Sequence, residues 1–133
     1  MASLFTRIID RELPGRFVFE DDKTVAFLTI APLKPGHTLV VPRTEVDDWL
    51  DLPADDRAAL FAAAHTVALG VKRAFPCAKV ALLALGLEVP HVHLHLVPID
   101  SEAEANFANA DPGVDPEDLD DAQARIVAAL RAV

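Results

Sequence analysis

The chain predicts an α+β fold built on an antiparallel sheet, and three observations carry this. Strand-like and helix-like stretches follow one another as helix, β, β, β, helix, β, β, helix, which lacks the regular βα alternation of a doubly wound sheet. Two β-prone runs, Arg16 to Glu20 and Thr24 to Ile30, are joined through Glu20-Asp21-Asp22-Lys23, which suits a hairpin turn. Between Pro90 and Pro98, apolar residues alternate with His91, His93 and His95, the period of a strand with two unlike faces.

With 133 residues the chain is long enough to bury one core, so a single domain over 1–133 is expected. Hydrophobic residues make up 52% and charged residues 25%, a balance that favours folding over disorder. Acidic residues outnumber basic ones 21 to 12, and no basic run or stripe is present, which argues against nucleic acid or an anionic membrane as partner. A small nucleotide needs only a local anion site and stays compatible with that charge. Cys77 is the only cysteine, so no internal disulfide can form and a reducing compartment is expected. The start, Met-Ala-Ser-Leu-Phe-Thr-Arg, lacks the features of a signal peptide, and no apolar stretch reaches membrane-spanning length. These features lead to the expectation of a soluble, cytoplasmic protein.

The elements follow in order. Leu4, Phe5, Ile8 and Ile9 recur at helical spacing until Leu13-Pro14-Gly15 breaks the pattern, predicting a short helix within 3–12. After the hairpin, Ala31-Pro32-Leu33-Lys34-Pro35-Gly36 must be a loop, because its prolines cannot donate to a ladder. His37 to Pro42 reads as a third strand, with His37, Leu39 and Val41 on one face. Leu60, Ala64, Val67, Val71 and Phe75 then mark an amphipathic helix that starts near Asp51 or Pro53 and ends at Pro76. Lys79 to Leu85 is apolar and compact, which predicts a buried strand leading through Gly86 to the histidines. Asp100 to Gly113 is polar and small and reads as loop. Asp115-Pro116-Glu117-Asp118 supplies a cap, a first-turn proline and acidic residues for a last helix striped by Leu119, Ala122, Ile126 and Leu130.

On a strand, the three alternating imidazoles would lie roughly 6–7 Å apart on one face. Imidazole is a proton carrier and a nucleophile near neutral pH, so such a face can handle a phosphoryl or acyl group. It is also a common metal ligand, and a site joining these histidines to Glu88 is an alternative. A third reading leaves them as surface histidines on a solvated sheet.

The run His-Val-His-Leu-His-Leu-Val resembles the signature of the histidine triad family of nucleotide hydrolases and transferases, in which histidines alternate with apolar residues. Asp21-Asp22, Val25-Ala-Phe-Leu and Pro35-Gly-His-Thr-Leu-Val-Val-Pro also resemble the family in order and spacing, so the likeness covers 3–98. It implies a five-stranded antiparallel sheet with a long central helix and a C-terminal helix, a nucleotide-like substrate, no cofactor, and a homodimer whose sheets join. By the same resemblance His93 is the nucleophile toward an α-phosphorus. His91 and His95 orient it and contact phosphate, and His37 lies in the hydrogen-bond network behind them. Phe5, Ile8, Phe27, Ile30 and Leu39 match the walls of the base and ribose pocket. A nucleotide-binding or partner-binding dimer with little catalysis is the alternative.

Three departures from the family pattern stand out. Many relatives carry a Cys-x-x-Cys pair and a histidine that bind structural zinc, where this chain has Ser3, Thr6 and Glu45. Thr29 replaces an acidic residue that binds ribose hydroxyls in the family. Glu88 stands where a serine, threonine or glutamine usually donates to phosphate. A carboxylate aimed at phosphate costs on the order of 1–4 kcal/mol at contact, so Glu88 is expected to do acid–base work, capture a metal or turn away. His65 is expected at the boundary of a helix stripe, Cys77 to be buried or inert, and Lys34 and Arg43 to be solvated. Trp49 is expected to pack at a surface.

Overall fold

The structure, a computed structural model, describes residues 2–133. Its centre is a five-stranded sheet of β1 (Phe17–Glu20), β2 (Thr24–Leu28), β3 (Thr38–Pro42), β4 (Lys79–Leu83) and β5 (Leu94–Ile99), in the order β1-β2-β3-β5-β4. All four pairings are antiparallel, as the absence of βα alternation predicts. Three helices cover it: α1 (Leu4–Ile9), α2 (Ala54–Ala74) and α3 (Pro116–Leu130).

The alternating pattern of the strands divides the apolar residues between two faces. Ala26, Leu28, Val40, Leu94 and Leu96 meet Leu60, Ala64, Val67 and Val71 of α2 and Ile126 of α3. On α2 these positions recur at three and four residues, which gives the helix one apolar stripe. Acidic Asp55 and Asp56 in its first turn, and Lys72 and Arg73 in its last, complement the helix dipole. Gly70 admits α3, since a Cβ there would fall 2.5 Å from the Leu130 side chain. The opposite face carries Val25, Phe27, Leu39 and Val41 against Phe5 and Ile9 of α1.

One row of paired residues crosses that second face through all five strands: Phe17, Phe27, Leu39, His95 and Leu83. It brings residues distant in sequence onto one floor. The loop before β3 is tied to the far end of α2, because Gly36 has φ +95° and a Cβ there would meet the Phe75 ring at 2.7 Å. Only glycine fits that backbone and that contact at once.

Three expectations need correction. The expected strand between Pro90 and Pro98 pairs only from Leu94, and Pro98 sits within β5 opposite Val80. His91 and His93 precede the ladder because the Val92 amide bonds to the Val46 carbonyl, in a loop and not in a strand. Lys79–Leu83 forms an edge strand, half-exposed instead of buried, with Leu82 47% exposed. Its apolar composition was real, but β5 covers only one of its edges. The polar stretch 100–113 contains two 3-10 turns, Glu102–Ala105 and Phe107–Asn109. Among the described residues, no helix is long and apolar enough to cross a membrane.

Candidate active site

The alternation of the histidine run persists ahead of the ladder. Val92, Leu94 and Leu96 enter the α2 core, while His91, His93 and His95 are buried on the α1 side. His37, immediately before β3, joins them and is 2% exposed. Burial lowers the proton affinity of all four imidazoles. His37 falls to about 3 and His95 to about 4, each helped by the neighbouring histidine. His91 and His93 are also lowered, chiefly by desolvation and against the hydrogen bonds they make to carbonyls. All four are therefore neutral at pH 7, and a neutral imidazole has one N–H and one bare nitrogen.

Fixed partners decide which nitrogen is which. The Leu33 amide can only donate, and it bonds to His37 Nδ1 at 3.0 Å. His37 Nε2–H must then donate to His95 Nδ1, 3.0 Å away, leaving His95 Nε2–H as the donor that remains. His91 Nε2–H donates to the Pro42 carbonyl at 2.8 Å, so its Nδ1 accepts from the Ser3 hydroxyl at 2.7 Å. His93 Nδ1–H donates to the His91 carbonyl at 2.8 Å. Its Nε2 is left with a bare lone pair and no hydrogen-bond partner among the described residues. The four tautomers follow from a backbone amide and two carbonyls.

His93 and His95 line a cleft of about 950 Å³. Phe5 and Ile8 of α1 wall one side, with Phe27 and Leu39 on the sheet, and Thr29 and Ile30 follow β2 along the rim. Phe5 sits edge-on to His93 with ring centroids 4.8 Å apart, and to Phe27 at 5.6 Å. Glu88 is exposed and lines the cleft from the loop between β4 and β5, and its charge favours protonation of His93. The Thr29 hydroxyl accepts from the Ala31 amide at 3.1 Å, which turns the chain after β2. Thus every residue that the sequence singled out for the pocket lines this one cleft.

Phe107 escaped the sequence reading. It stands edge-on to His95 at 4.8 Å and lines the cleft from a 3-10 turn. Its only signal was a lone aromatic within the polar stretch 100–113, where periodicity is silent. Leu33 escaped too, because its contribution is a backbone amide. Arg16 is the one cation lining the cleft among the described residues, and its Nε pairs with Asp120 of α3 at 2.8 Å.

The other side chains considered from sequence lie elsewhere. Lys34 pairs with Glu104 and Arg43 with Glu20, His65 is exposed on α2, and Cys77 is half-buried. Trp49 is 42% exposed in a 3-10 turn before α2. No three His, Cys, Asp or Glu side chains among the described residues are grouped to hold a metal ion. The triad cannot supply such a group readily, because both ring nitrogens of His91 and one each of His93 and His95 are already engaged.

The places that resemblance gives to structural zinc hold a donor set unsuited to it. Ser3 and Thr6 offer neutral hydroxyls, which are poor substitutes for thiolates. One oxygen of Glu45 accepts from the Ser3 amide at 2.6 Å and from the Thr6 hydroxyl at 2.7 Å. These two bonds, the amide first, hold the Glu45 carboxyl down at about 2.

Comparison with known proteins agrees with this geometry. Residues 10–102 match the model of the HIT domain. A HIT-like protein of Saccharolobus solfataricus is 35% identical over 104 residues, which span 74% of this chain and 75% of the relative. A histidine triad nucleotide-binding protein of Sulfolobus tokodaii superposes with a TM-score of 0.84 at 30% identity, covering 96% of this chain and 91% of its own. A zinc-bound histidine triad family protein from Mycobacterium smegmatis gives 0.85 at 26% identity, covering 99% and 95%. With the buried histidines, the sheet order and the matched segment all in agreement, this chain belongs to the HIT domain family.

Proposed function

We propose that the protein is a nucleotide hydrolase or nucleotidyl transferase that cleaves a phosphoramidate or phosphoanhydride bond at the α-phosphorus through a covalent nucleotidyl-His93. The observation that carries this reading is the bare Nε2 of His93, a residue lining an apolar cleft, with the proton held on Nδ1 by a carbonyl. The cleft has the volume and apolar lining expected for a nucleoside-sized ligand. The nucleotide-binding description of the Sulfolobus tokodaii relative supports the same substrate class.

In the proposed reaction, His93 Nε2 attacks phosphorus in line, forming a P–N bond as the bond to the leaving group breaks. Nδ1 keeps its proton, so the intermediate carries a positive imidazolium, which is a good leaving group. Water then forms the new P–O bond, the P–N bond breaks, and the proton lost by water leaves to solvent. His95 Nε2–H donates to a phosphoryl oxygen on which charge accumulates. Glu88, at the cleft loop, serves the acid–base step at the leaving group. His93→Ala is expected to abolish turnover of adenosine phosphoramidate and of a dinucleoside polyphosphate while circular dichroism stays native. Full activity in that variant would overturn the mechanism. Glu88→Gln should displace one limb of the pH–rate profile, and superimposable profiles would remove Glu88 from the chemistry.

A second reading, a nucleotide- or partner-binding dimer with little catalysis, is favoured by one observation. The only cation lining the cleft among the described residues, Arg16, is already paired with Asp120. Calorimetric titration with AMP beside a turnover assay separates the two readings, since tight binding without product supports the second.

A further inference from the structure

Four side chains from three separate segments converge where α1 meets the end of β3. The Ser3 hydroxyl donates to His91 Nδ1 and accepts from the Thr6 amide at 3.0 Å. Glu45 receives the Ser3 amide and the Thr6 hydroxyl on one oxygen. His91 itself is fully buried, and Ser3 is 7% exposed. By contrast, Glu45 is exposed, and a single oxygen of its carboxylate ties both Ser3 and Thr6 of α1 to the end of β3.

We propose that Ser3, Thr6 and Glu45 form a metal-free clamp that positions His91 and, through it, the nucleophile His93, with Glu45 as the positioning residue on which the clamp turns. This rests on the reading of His93 as nucleophile given above. The clamp reaches His93 along two routes. Along the backbone, His91 is fixed by Ser3 on one ring nitrogen and by Pro42 on the other, and its carbonyl receives His93 Nδ1–H. Over the cleft, Phe5 belongs to the same α1 turn that Glu45 anchors, and it sits edge-on to both His93 at 4.8 Å and His91 at 6.0 Å.

The need for an anchor follows from the length of α1. A helix of six residues does not persist alone in water. Phe5 and Ile9 bury its apolar side, but that contact is non-directional and would tolerate sliding or rotation. Hydrogen bonds at 2.6 and 2.7 Å to one carboxylate oxygen fix the rotation. A displacement of about 1 Å in such a support can cost up to about 100-fold in rate. The oxygen-and-nitrogen set is complete as a hydrogen-bonded cluster, so the chain does at this corner with protons what a zinc ion does with coordinate bonds.

The test uses the full chain with Glu45→Ala, Glu45→Gln and Ser3→Ala. Two readouts are needed: kcat and KM for adenosine phosphoramidate, and the ring nitrogen resonances of His91 by NMR on labelled protein. In Glu45→Ala and Ser3→Ala, kcat should fall about tenfold or more, and the His91 Nδ1 resonance should move toward that of an imidazole nitrogen without a donor. Glu45→Gln, whose amide oxygen can still accept both bonds, should restore most of kcat and leave the resonance near wild type. Added zinc should change neither readout. A Glu45→Ala protein with wild-type kcat, or an unmoved His91 resonance, would overturn the clamp. If wild type itself turns over nothing, the reaction reading fails, and the His91 resonances alone still decide for or against the clamp.

Discussion

The two faces of the sheet are built from the same strands and differ in what they bury. Toward α2 and α3, the inward positions are aliphatic: Ala26, Leu28, Val40, Leu94 and Leu96. Toward α1, the face mixes Val25, Phe27, Leu39 and Val41 with four buried histidines. The first face needs only volume and apolarity, so its residues tolerate one another in any sense except size. The second requires every imidazole to be held by a partner in a fixed place on at least one ring nitrogen, because an unpaired buried polar group is costly. Its stability is tied to hydrogen-bond direction, and that is where chemistry can be placed.

Adjacent residues break the comparison most directly. His93 and Leu94 are neighbours in sequence and point to opposite faces. His93→Ala should lower turnover by about 10⁴-fold or more, on the scale of losing the proposed nucleophile, with a smaller stability loss of about 1–3 kcal/mol from the His91 carbonyl left without its donor. Leu94→Ala should do the reverse. Deleting a fully buried leucine costs about 2–5 kcal/mol, read as a lower denaturant midpoint, while the surviving folded protein keeps its rate per site.

The smallest effect separates the faces by pH. His37 and His95 bind protons only near 3 and 4 when folded, against 6.5 for the ordinary side chain. Between about pH 6.5 and 4 the unfolded chain thus holds more protons than the native one, so stability falls as pH drops through that window. The lowered carboxyls of Glu45 and Glu104 act in a lower window, below their ordinary 4.5. Calorimetric melting from pH 7 to 4.5 should show the decline, and His37→Asn should flatten it. An equal slope in that variant would assign the effect to other groups.

This contrast also explains what could be read from the sequence. Leu60, Ala64, Val67 and Val71 announce α2 because packing on a sheet demands helical period, and the histidines announce their face because a strand has period two. His37 and the pocket walls were reached through family resemblance; the walls line one cleft, and His37 is buried behind it on His95. Three things were invisible for physical reasons. The ladder starts at Leu94 because Val92 finds a loop carbonyl as partner, a long-range choice that no local period encodes. β4 reads as buried because burial depends on strand order, and its place at the edge is a property of the whole sheet. Phe107 reaches His95 from a turn whose residues look like any polar loop.

The bond between the Leu33 amide and His37 has a further consequence. A row of imidazoles resembles a wire along which protons could hop, and hopping requires every bond in the row to be able to reverse. This row begins on a peptide N–H, which neither gives up its proton nor accepts one at neutral pH, so His37 and His95 are locked in a single orientation. The pair behaves as a static dipole whose one remaining N–H belongs to His95, a residue lining the cleft. In the reaction proposed above, protons for the leaving group would then pass at the cleft mouth, through Glu88 or water. Replacing solvent by D₂O should slow the reaction only through those exposed exchanges.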